Sequence, residues 1–233
     1  MVFVHSRKET IATCRWMLEK AREKGQVSLF LPREDSAYHF AKKTMQKSRN
    51  LELQELFQSG MGFHNAGMLR SDRNYVEQFF GEGFMRVLCC TATLAWGVNL
   101  PAHTVIIKGT QLYVPDRGGF VDVGILDVKQ IFGRAGRPQF DTSGEGIIIT
   151  THDKLDHYLK LMSHQLPIES QFTKRLEDHL NAEIVLGTVT SVREAIQWLS
   201  YTYFHIRMRK NPLNYGLTWQ QVQLDPSLQA HQA

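Results

Sequence analysis

The sequence predicts an α/β fold in which a parallel sheet carries helices on both faces, followed by a smaller, mostly helical segment. Over the first 165 of the 233 residues, short apolar runs alternate with stretches of helical periodicity. Strands that are apolar at consecutive positions are typical of a parallel sheet buried on both faces. Beyond that point only helical periodicity is found, so we predict two domains, residues 1–165 and 166–233.

The individual elements follow from local signals. Ser6 and Glu9 form a capping box that starts the first helix, and Gly25 can end it. We interpret residues 27–57, which are polar and mixed, as a partly helical insertion. The predicted strands cover residues 2–5, 61–64, 85–91, 104–108 and 146–150. Further helices are predicted over residues 71–80, 126–135, 153–162, 171–181 and 191–208.

Composition and charge restrict the class of protein. The chain is 42% hydrophobic and 21% charged, which is ordinary for a globular protein with a sizeable core. A net charge of +4 permits a nucleic-acid partner without requiring one. No apolar run approaches the roughly 20 residues of a membrane-spanning helix, so no membrane partner is expected. Cys14, Cys89 and Cys90 lack metal-ligand spacing, and we predict small core residues and no metal site.

The most informative segment, QIFGRAGRP, begins at Gln130. On a helix, Gln130, Arg134 and Arg137 would share one face. Gly133 and Gly136 would each cost about 1 kcal/mol relative to alanine, which indicates that something approaches the backbone closely. Guanidinium groups match phosphate oxygens, and an arginine supplied across an interface can accelerate phosphoryl transfer by about 10³ to 10⁵. The alternative is a solvated basic helix end.

This pattern, Gln-x-x-Gly-Arg-x-Gly-Arg, resembles motif VI of superfamily 2 helicases. The glutamine at the first position and Ala135 between the arginines are similar to the Ski-like branch. The resemblance implies a RecA-like domain in which Arg134 and Arg137 contact the γ-phosphate of ATP. It also implies that Gln130 helps to position the nucleotide.

The segment TATLAWGVNLPA begins at Thr91, where a predicted strand ends. A Thr-x-Thr sequence there places hydroxyls and backbone amides at the carboxyl edge of a sheet, where α/β proteins bind ligands. A Gly-Asn turn with nearby hydroxyls is the alternative. The segment resembles helicase motif V. By that resemblance Thr91 contacts the nucleic-acid backbone, and Gly97 and Asn99 face the nucleotide and the cleft between two motor domains.

Two shorter segments lie at the ends of other predicted strands. Arg7 follows Ser6 at a strand end and helix start, which makes it a candidate for phosphate binding, with simple helix capping as the alternative. VFVHSR resembles motif IV, and FHNAGM resembles the motif that follows it, with Asn65 in place of the usual second histidine. The resemblance implies nucleic-acid binding by Arg7, His64 and Gly67, although a lone histidine at a strand end is more often structural.

A β-hairpin is predicted over residues 111–124, because two apolar runs flank a turn rich in proline and glycine. An ordinary surface hairpin is one interpretation. In Ski-like helicases a hairpin at this place separates strands, which implies that Tyr113 or Phe120 stacks on a base at the fork. Residues 181–187 and 198–203 resemble the winged-helix domain that follows the motor core in this branch.

The sequence contains neither a Gly-x-x-x-x-Gly-Lys-Ser/Thr loop nor an Asp-Glu-x-His motif after a buried strand. The helicase resemblance therefore implies that an upstream RecA-like domain of the same polypeptide holds ATP and Mg²⁺, and that this chain alone is inactive. The implied partners are single-stranded or duplex nucleic acid and other subunits of a multiprotein complex, in the nucleus and also the cytoplasm. A non-catalytic nucleic-acid-binding module and an interaction scaffold derived from a helicase remain alternatives.

Overall fold

A computed structural model describes residues 1–114, 118–137, 139–163 and 167–227, and only the backbone of Trp96. The chain divides into two compact units, Met1–Met162 and Ser163–Ala233. None of the helices in the described residues is long and apolar enough to cross a membrane.

The first unit is built on a parallel sheet. In the described residues its strands are β1 (Val2–Val4), β2 (Met61–His64), β3 (Val87–Thr91), β4 (Thr104–Lys108), β5 (Gln111–Val114), β6 (Gly119–Asp122) and β7 (Glu145–Ile149). Five of them form the sheet in the order β2-β3-β1-β4-β7, and β5 and β6 form a separate antiparallel hairpin. Every residue of β1 and β2 is buried. Because neighbouring residues of a strand face opposite sides, both faces of the sheet are covered there, which confirms the predicted α/β fold.

Helices flank this sheet. They are α1 (Arg7–Glu23), α2 (Ser36–Met45), α3 (Leu51–Gln58), α4 (Arg70–Gly81), α5 (Thr93–Gly97), α6 (Ile125–Phe132) and α7 (His152–Met162). The Ser6 hydroxyl accepts a hydrogen bond from the Glu9 amide at 3.2 Å, which confirms Ser6 as the cap of α1. The Glu9 carboxylate accepts from the His5 amide and not from that of Ser6, so the predicted capping box is only half formed. The three cysteines are free and buried.

The segment predicted as an insertion is part of the core. Tyr38 of α2 stacks on Phe57 of α3 with ring centroids 5.8 Å apart, and Phe57 contacts Phe79 of α4 at 5.4 Å. All three rings are almost fully buried, and α3 packs against β2. The predicted helical character of this segment is confirmed, and the segment packs into the core of the unit. Its mixed composition arises because α2 and α3 each have one buried and one solvated face.

The second unit is helical in its described residues. It contains a 3-10 turn at Phe172–Arg175, followed by α8 (Leu176–Val185), α9 (Val192–Ser200), α10 (Tyr203–Lys210) and α11 (Trp219–Leu224). Leu199, Phe204 and Met208 form its buried centre. The single helix predicted over residues 191–208 is two helices, because the hydroxyl of Thr202 accepts a hydrogen bond from the His205 amide and starts α10 afresh.

One carboxylate organises the polar contacts of this unit. Glu169 accepts hydrogen bonds from two guanidinium nitrogens of Arg207 at 3.2 and 2.8 Å, from the Asn211 amide at 2.8 Å and from the Tyr215 hydroxyl at 2.7 Å. These donors, Arg207 above all, lower the pKa of Glu169 to about 2. Glu169, which precedes the first helix of the unit, therefore binds α10 through Arg207 and the chain after α10 through Asn211 and Tyr215.

Candidate nucleotide and nucleic-acid sites

Most residues predicted to bind nucleic acid lie along one edge of the sheet. The carboxyl ends of parallel strands meet at the same edge, where α/β proteins bind ligands. Arg7 follows β1, Gly67 follows β2, and Thr91 ends β3, which lies between those two strands. The hairpin leaves from the same edge, because β4 lies beside β1 and ends at Lys108. The strand order therefore aligns residues from four separate segments.

Arg7 lies across Gly67. A Cβ atom built on Gly67 would be 3.1 Å from both Cδ and Nη1 of Arg7, so the missing side chain makes room for the arginine. The two residues line a cavity of about 700 Å³ together with Lys8 and Arg49. Sequence reasoning did not single out either of these additional cations. Lys8 is the neighbour of Arg7 on α1, whereas Arg49 gave no motif signal.

His64 does not share this exposed surface. Its side chain is buried, and Nε2 lies 2.8 Å from the Glu77 carboxylate. Burial lowers the pKa of the imidazole, which is therefore neutral and donates its Nε2–H to Glu77. The predicted contact between His64 and nucleic acid requires an exposed ring, and the geometry does not support it. Asn65 is also buried, and its amide bonds Thr10 and Gly67.

Thr91 and Thr93 form a hydroxyl pair at the end of β3. Their Oγ1 atoms are 2.9 Å apart, and Thr93 is the first residue of α5. Thr91 is partly exposed. The end of β3 and the start of α5 are therefore joined at the edge of the sheet where the residues predicted to bind nucleic acid lie.

The helix that was expected to carry the arginines ends before them. α6 stops at Phe132, Arg134 lies in a turn, and Arg137 lies beyond that turn. The prediction that Gln130, Arg134 and Arg137 share one helical face is therefore wrong. Pro138, the last residue of the QIFGRAGRP segment, lies outside the described residues.

A backbone pairing explains the early end of α6. Ala102, just before β4, bridges Ala135: its amide donates to the Arg134 carbonyl at 2.9 Å, and its carbonyl accepts from the Gly136 amide at 2.7 Å. Gly136 has a φ of +89°, a conformation that favours glycine. A Cβ on Gly144 would lie 2.5 Å from the Ala135 carbonyl carbon. Gly136 is therefore explained by pairing with the protein's own backbone at Ala102.

Arg134 binds the segment that follows β3. Its Nη2 donates to the Ala95 carbonyl, and its Nη1 donates to Oδ1 of Asn99 at 3.1 Å. Gln130 donates to the same Ala95 carbonyl at 3.2 Å. Gln130 and Arg134 thus share one carbonyl of α5, and Arg134 also binds Asn99. Gly97 ends α5, and the position of its absent Cβ faces open space.

Arg137 forms a two-point ion pair with Asp141. Nε lies 2.7 Å from Oδ2 and Nη2 lies 2.9 Å from Oδ1, and the Arg137 amide also donates to Oδ2 at 3.1 Å. These bonds raise the pKa of Arg137 and lower that of Asp141. The Phe140 ring lies 5.6 Å from the guanidinium carbon. Asp141 could not be singled out from the sequence, because its only signal is its position four residues after an arginine.

A second cavity, of about 830 Å³, brings Arg137 and Asn99 together at the amino edge of the sheet. Met1, Met85 and Thr104, which precede or begin β1, β3 and β4, also line it. Arg7, Gly67 and Thr91 lie at the carboxyl edge, so the two groups of predicted residues occupy opposite edges. The chain between Thr91 and Ala102 runs from one edge to the other and contributes a residue to each group, Thr91 at the carboxyl edge and Asn99 at the amino edge.

The hairpin exposes an aromatic pair. Tyr113 of β5 lies directly opposite Phe120 of β6, and their rings meet edge to face at 5.5 Å. The side chains are 57% and 70% exposed. The predicted turn residues 115–117 lie outside the described residues. Both predicted strands are confirmed, and their aromatic rings are accessible to a partner.

The base of the hairpin is attached to α7. The ammonium of Lys154 lies 2.7 Å from the Asp122 carboxylate, which lowers the pKa of Asp122. The hydroxyl of Tyr158 lies 3.1 Å from the Val123 carbonyl and 3.3 Å from the Thr110 carbonyl. One helix therefore contacts both ends of the hairpin.

The comparison with protein families shows a helicase motor domain. The helicase conserved C-terminal domain family matches residues 7–139, more than half of the chain, and the chain belongs to that family. A winged helix-turn-helix domain matches residues 169–232. The predicted family resemblance and the predicted winged-helix segment are confirmed.

The curated relatives that this chain matches are much longer than the chain itself. It is 62% identical over 99% of its length to activating signal cointegrator 1 complex subunit 3 of Mus musculus, and 60% identical to the Homo sapiens protein of that name, covering 10% of each. It is 59% identical over its full length to the DExH-box ATP-dependent RNA helicase DExH14 of Arabidopsis thaliana, of which it covers 11%. The chain thus spans about a tenth of these relatives.

Proposed function

We propose that this chain is the second motor domain of an ATP-dependent nucleic-acid helicase. It supplies arginine to the phosphates of ATP held on a first RecA-like domain, and it grips one nucleic-acid strand along the carboxyl edge of its sheet. The observation that carries this proposal is the segment between Thr91 and Ala102. That segment contributes Thr91 at the carboxyl edge of the sheet, where we place the nucleic acid. It also contributes Asn99, bound to Arg134, at the amino edge, where we place the nucleotide.

The donor set at the amino edge suits a triphosphate. Arg137 uses Nε and Nη2 on Asp141 and retains Nη1, and Asn99 lines the same cavity. The described residues include no group of three or more His, Cys, Asp or Glu that could hold a metal ion. We assign phosphate contacts to this chain, and Mg²⁺ to the first RecA-like domain that the helicase resemblance implies. Bound ATP supplies a phosphoryl group for transfer to water, and Arg137 stabilises the charge that develops during the transfer.

Arg134 has a different role from Arg137 in this proposal. Its guanidinium is already bound to Ala95 and Asn99, so it joins the arginine loop, residues 133–137, to α5. Closure of this domain onto ATP then moves α5 and, with it, the Thr91 hydroxyl at the other edge. ATP binding and strand binding are thereby linked by a reciprocal coupling free energy.

The names of the relatives support two finer proposals. One relative is named as an RNA helicase, which supports RNA as a track for this chain. The others are named as subunits of a complex, which supports a multiprotein assembly as its context. Nuclear localisation, with the cytoplasm as a second compartment, remains our prediction.

The test is Arg137→Ala in a motor that pairs this chain with a nucleotide-binding first domain. ATP turnover should fall by about 10² to 10³ or more, while affinity for an ATP analogue changes far less, because the lost interaction is strongest in the transition state. Arg22→Ala, at an exposed arginine in the last turn of α1, is the charge-matched control. Near-normal turnover of the Arg137 variant, or robust turnover by the chain alone, would contradict the proposal.

A further inference from the structure

We propose that Asp141 is a positioning residue that holds Arg137 with its terminal edge free for the phosphates of ATP. This inference rests on the function proposed above. Asp141 is the more enclosed member of the ion pair: its side chain is 9% exposed, against 44% for Arg137. The carboxylate therefore forms a support beneath the guanidinium, and the guanidinium faces outward.

The hydrogen-bond inventory of arginine shows why the support and the phosphate can be bound together. A guanidinium carries five N–H donors in a planar fork. Asp141 occupies the side formed by Nε and Nη2. No described residue bonds Nη1, so the end formed by Nη1 and Nη2 can still accept a second oxyanion. Arg137 therefore need not leave Asp141 in order to reach a phosphate.

Backbone contacts make the support specific to this place. The Arg137 amide donates to the same carboxylate oxygen that binds Nε, so Asp141 fixes both ends of the arginine. The guanidinium carbon also lies over the Phe140 ring, 5.6 Å from its centroid, which adds a cation–π contact. An arginine held in this way loses little further side-chain freedom when ATP arrives, which is the advantage of preorganisation.

The opposite role would be a latch, in which Asp141 competes with phosphate for the arginine. The two roles predict different kinetics for Asp141→Asn. An asparagine keeps the shape but offers one carbonyl and places an amide against the other guanidinium N–H. A support predicts that kcat falls by about 10- to 100-fold while the Kd of an ATP analogue stays within about threefold, because misplaced catalytic groups mainly lose rate. A latch predicts tighter analogue binding with kcat preserved.

The experiment compares four variants of the complete motor by kcat, analogue Kd and circular dichroism. They are Asp141→Asn, Asp141→Glu, Arg137→Ala and the double variant Arg137→Ala/Asp141→Asn. Asp141→Glu should recover part of the rate because it restores the charge. The double variant should be no slower than Arg137→Ala, because Asp141 acts only through Arg137. Asp156→Asn, which breaks another i,i+4 ion pair in the same unit, is the matched control.

A second measurement on this chain tests the ion pair without any catalysis. Carboxyl ¹³C NMR should give Asp141 a pKa below its ordinary value, and Arg137→Ala should raise it, because the arginine is the largest cause of the shift. Titration at the ordinary value in the unmodified chain would overturn the inference.

The kinetic outcomes separate the two proposals. If Arg137→Ala is inactive and Asp141→Asn keeps the unmodified kcat, or shows the kinetics of a latch, only the support role is wrong. If Arg137→Ala itself turns over normally, both are wrong.

Discussion

Replacing Tyr158 by phenylalanine removes one hydroxyl at the base of the hairpin. This tyrosine is 3% exposed, and its hydroxyl lies within hydrogen-bonding distance of the carbonyls of Thr110 and Val123, which flank the hairpin. The Thr110 carbonyl also accepts the Val123 amide at 2.8 Å and keeps that donor in the variant. The Val123 carbonyl has no other donor in the described part of the chain.

The size of the effect follows from this difference. A hydrogen bond contributes a net of about 0.5–1.5 kcal/mol, and leaving a buried acceptor unpaired costs about 1–3 kcal/mol. Because only one of the two carbonyls loses its donor, we expect Tyr158→Phe to lower the free energy of opening the hairpin base by about 1–2 kcal/mol. That corresponds to backbone amide exchange about 5- to 30-fold faster.

Hydrogen exchange of residues 111–123, followed by mass spectrometry, measures this change directly. Tyr75→Phe is the control, because Tyr75 stacks on Phe79 and its hydroxyl has no hydrogen bond in the described residues. In the complete motor, Tyr158→Phe should reduce duplex unwinding more than strand-stimulated ATPase, since the hairpin does not contact ATP in our proposal. Unchanged exchange in the hairpin would refute the bracing role of Tyr158.

Two further predictions concern pH and coupling. The pKa of Glu169 is lowered to about 2 from 4.5, chiefly by Arg207, so its ionised form stabilises the second unit above about pH 4.5, and this contribution is lost as the pH falls towards 2. Glu169→Gln should therefore destabilise α10 at pH 7, with the difference from the unmodified chain shrinking below pH 4.5, as measured by urea unfolding at several pH values; a difference independent of pH would contradict this. In the complete motor, affinity for single-stranded nucleic acid should differ by about 5- to 150-fold between the ATP-analogue and empty states, and Thr91→Val should reduce that ratio, as measured by fluorescence anisotropy. Equal affinities before mutation would rule out coupling through this domain.

The sheet could be predicted from the sequence because its signals are local. The strands at residues 61–64 and 104–108 have the predicted bounds, since each is a short apolar run closed by polar residues or glycine. The cap at Ser6 and the two strands of the hairpin are local signals of the same kind. The boundary of α6 is not local. It depends on pairing between Ala135 and Ala102, which are distant in sequence, and helical periodicity contains no information about that pairing.

The candidate site was predictable to the extent that it consists of side chains in recognisable motifs. Gln130, Arg134 and Asn99 do come together. Gln130 and Arg134 are joined by a backbone carbonyl, that of Ala95, which any residue could provide. Asp141 was missed for a related reason, since one acidic residue near an arginine is common and only its enclosed two-point geometry distinguishes it.

The contact between Gly144 and the arginine loop also affects how substitutions in this chain should be interpreted. Gly144 lies after the helicase motif, yet a methyl group there would overlap the Ala135 carbonyl carbon and the Gly136 amide nitrogen, both at 2.5 Å. A Gly144→Ala change would therefore displace the loop between the two arginines while leaving every residue of the motif intact. A survey of variants confined to the motif would classify such a chain as functional. The part of the sequence intolerant to substitution thus extends beyond the residues by which the motif is recognised.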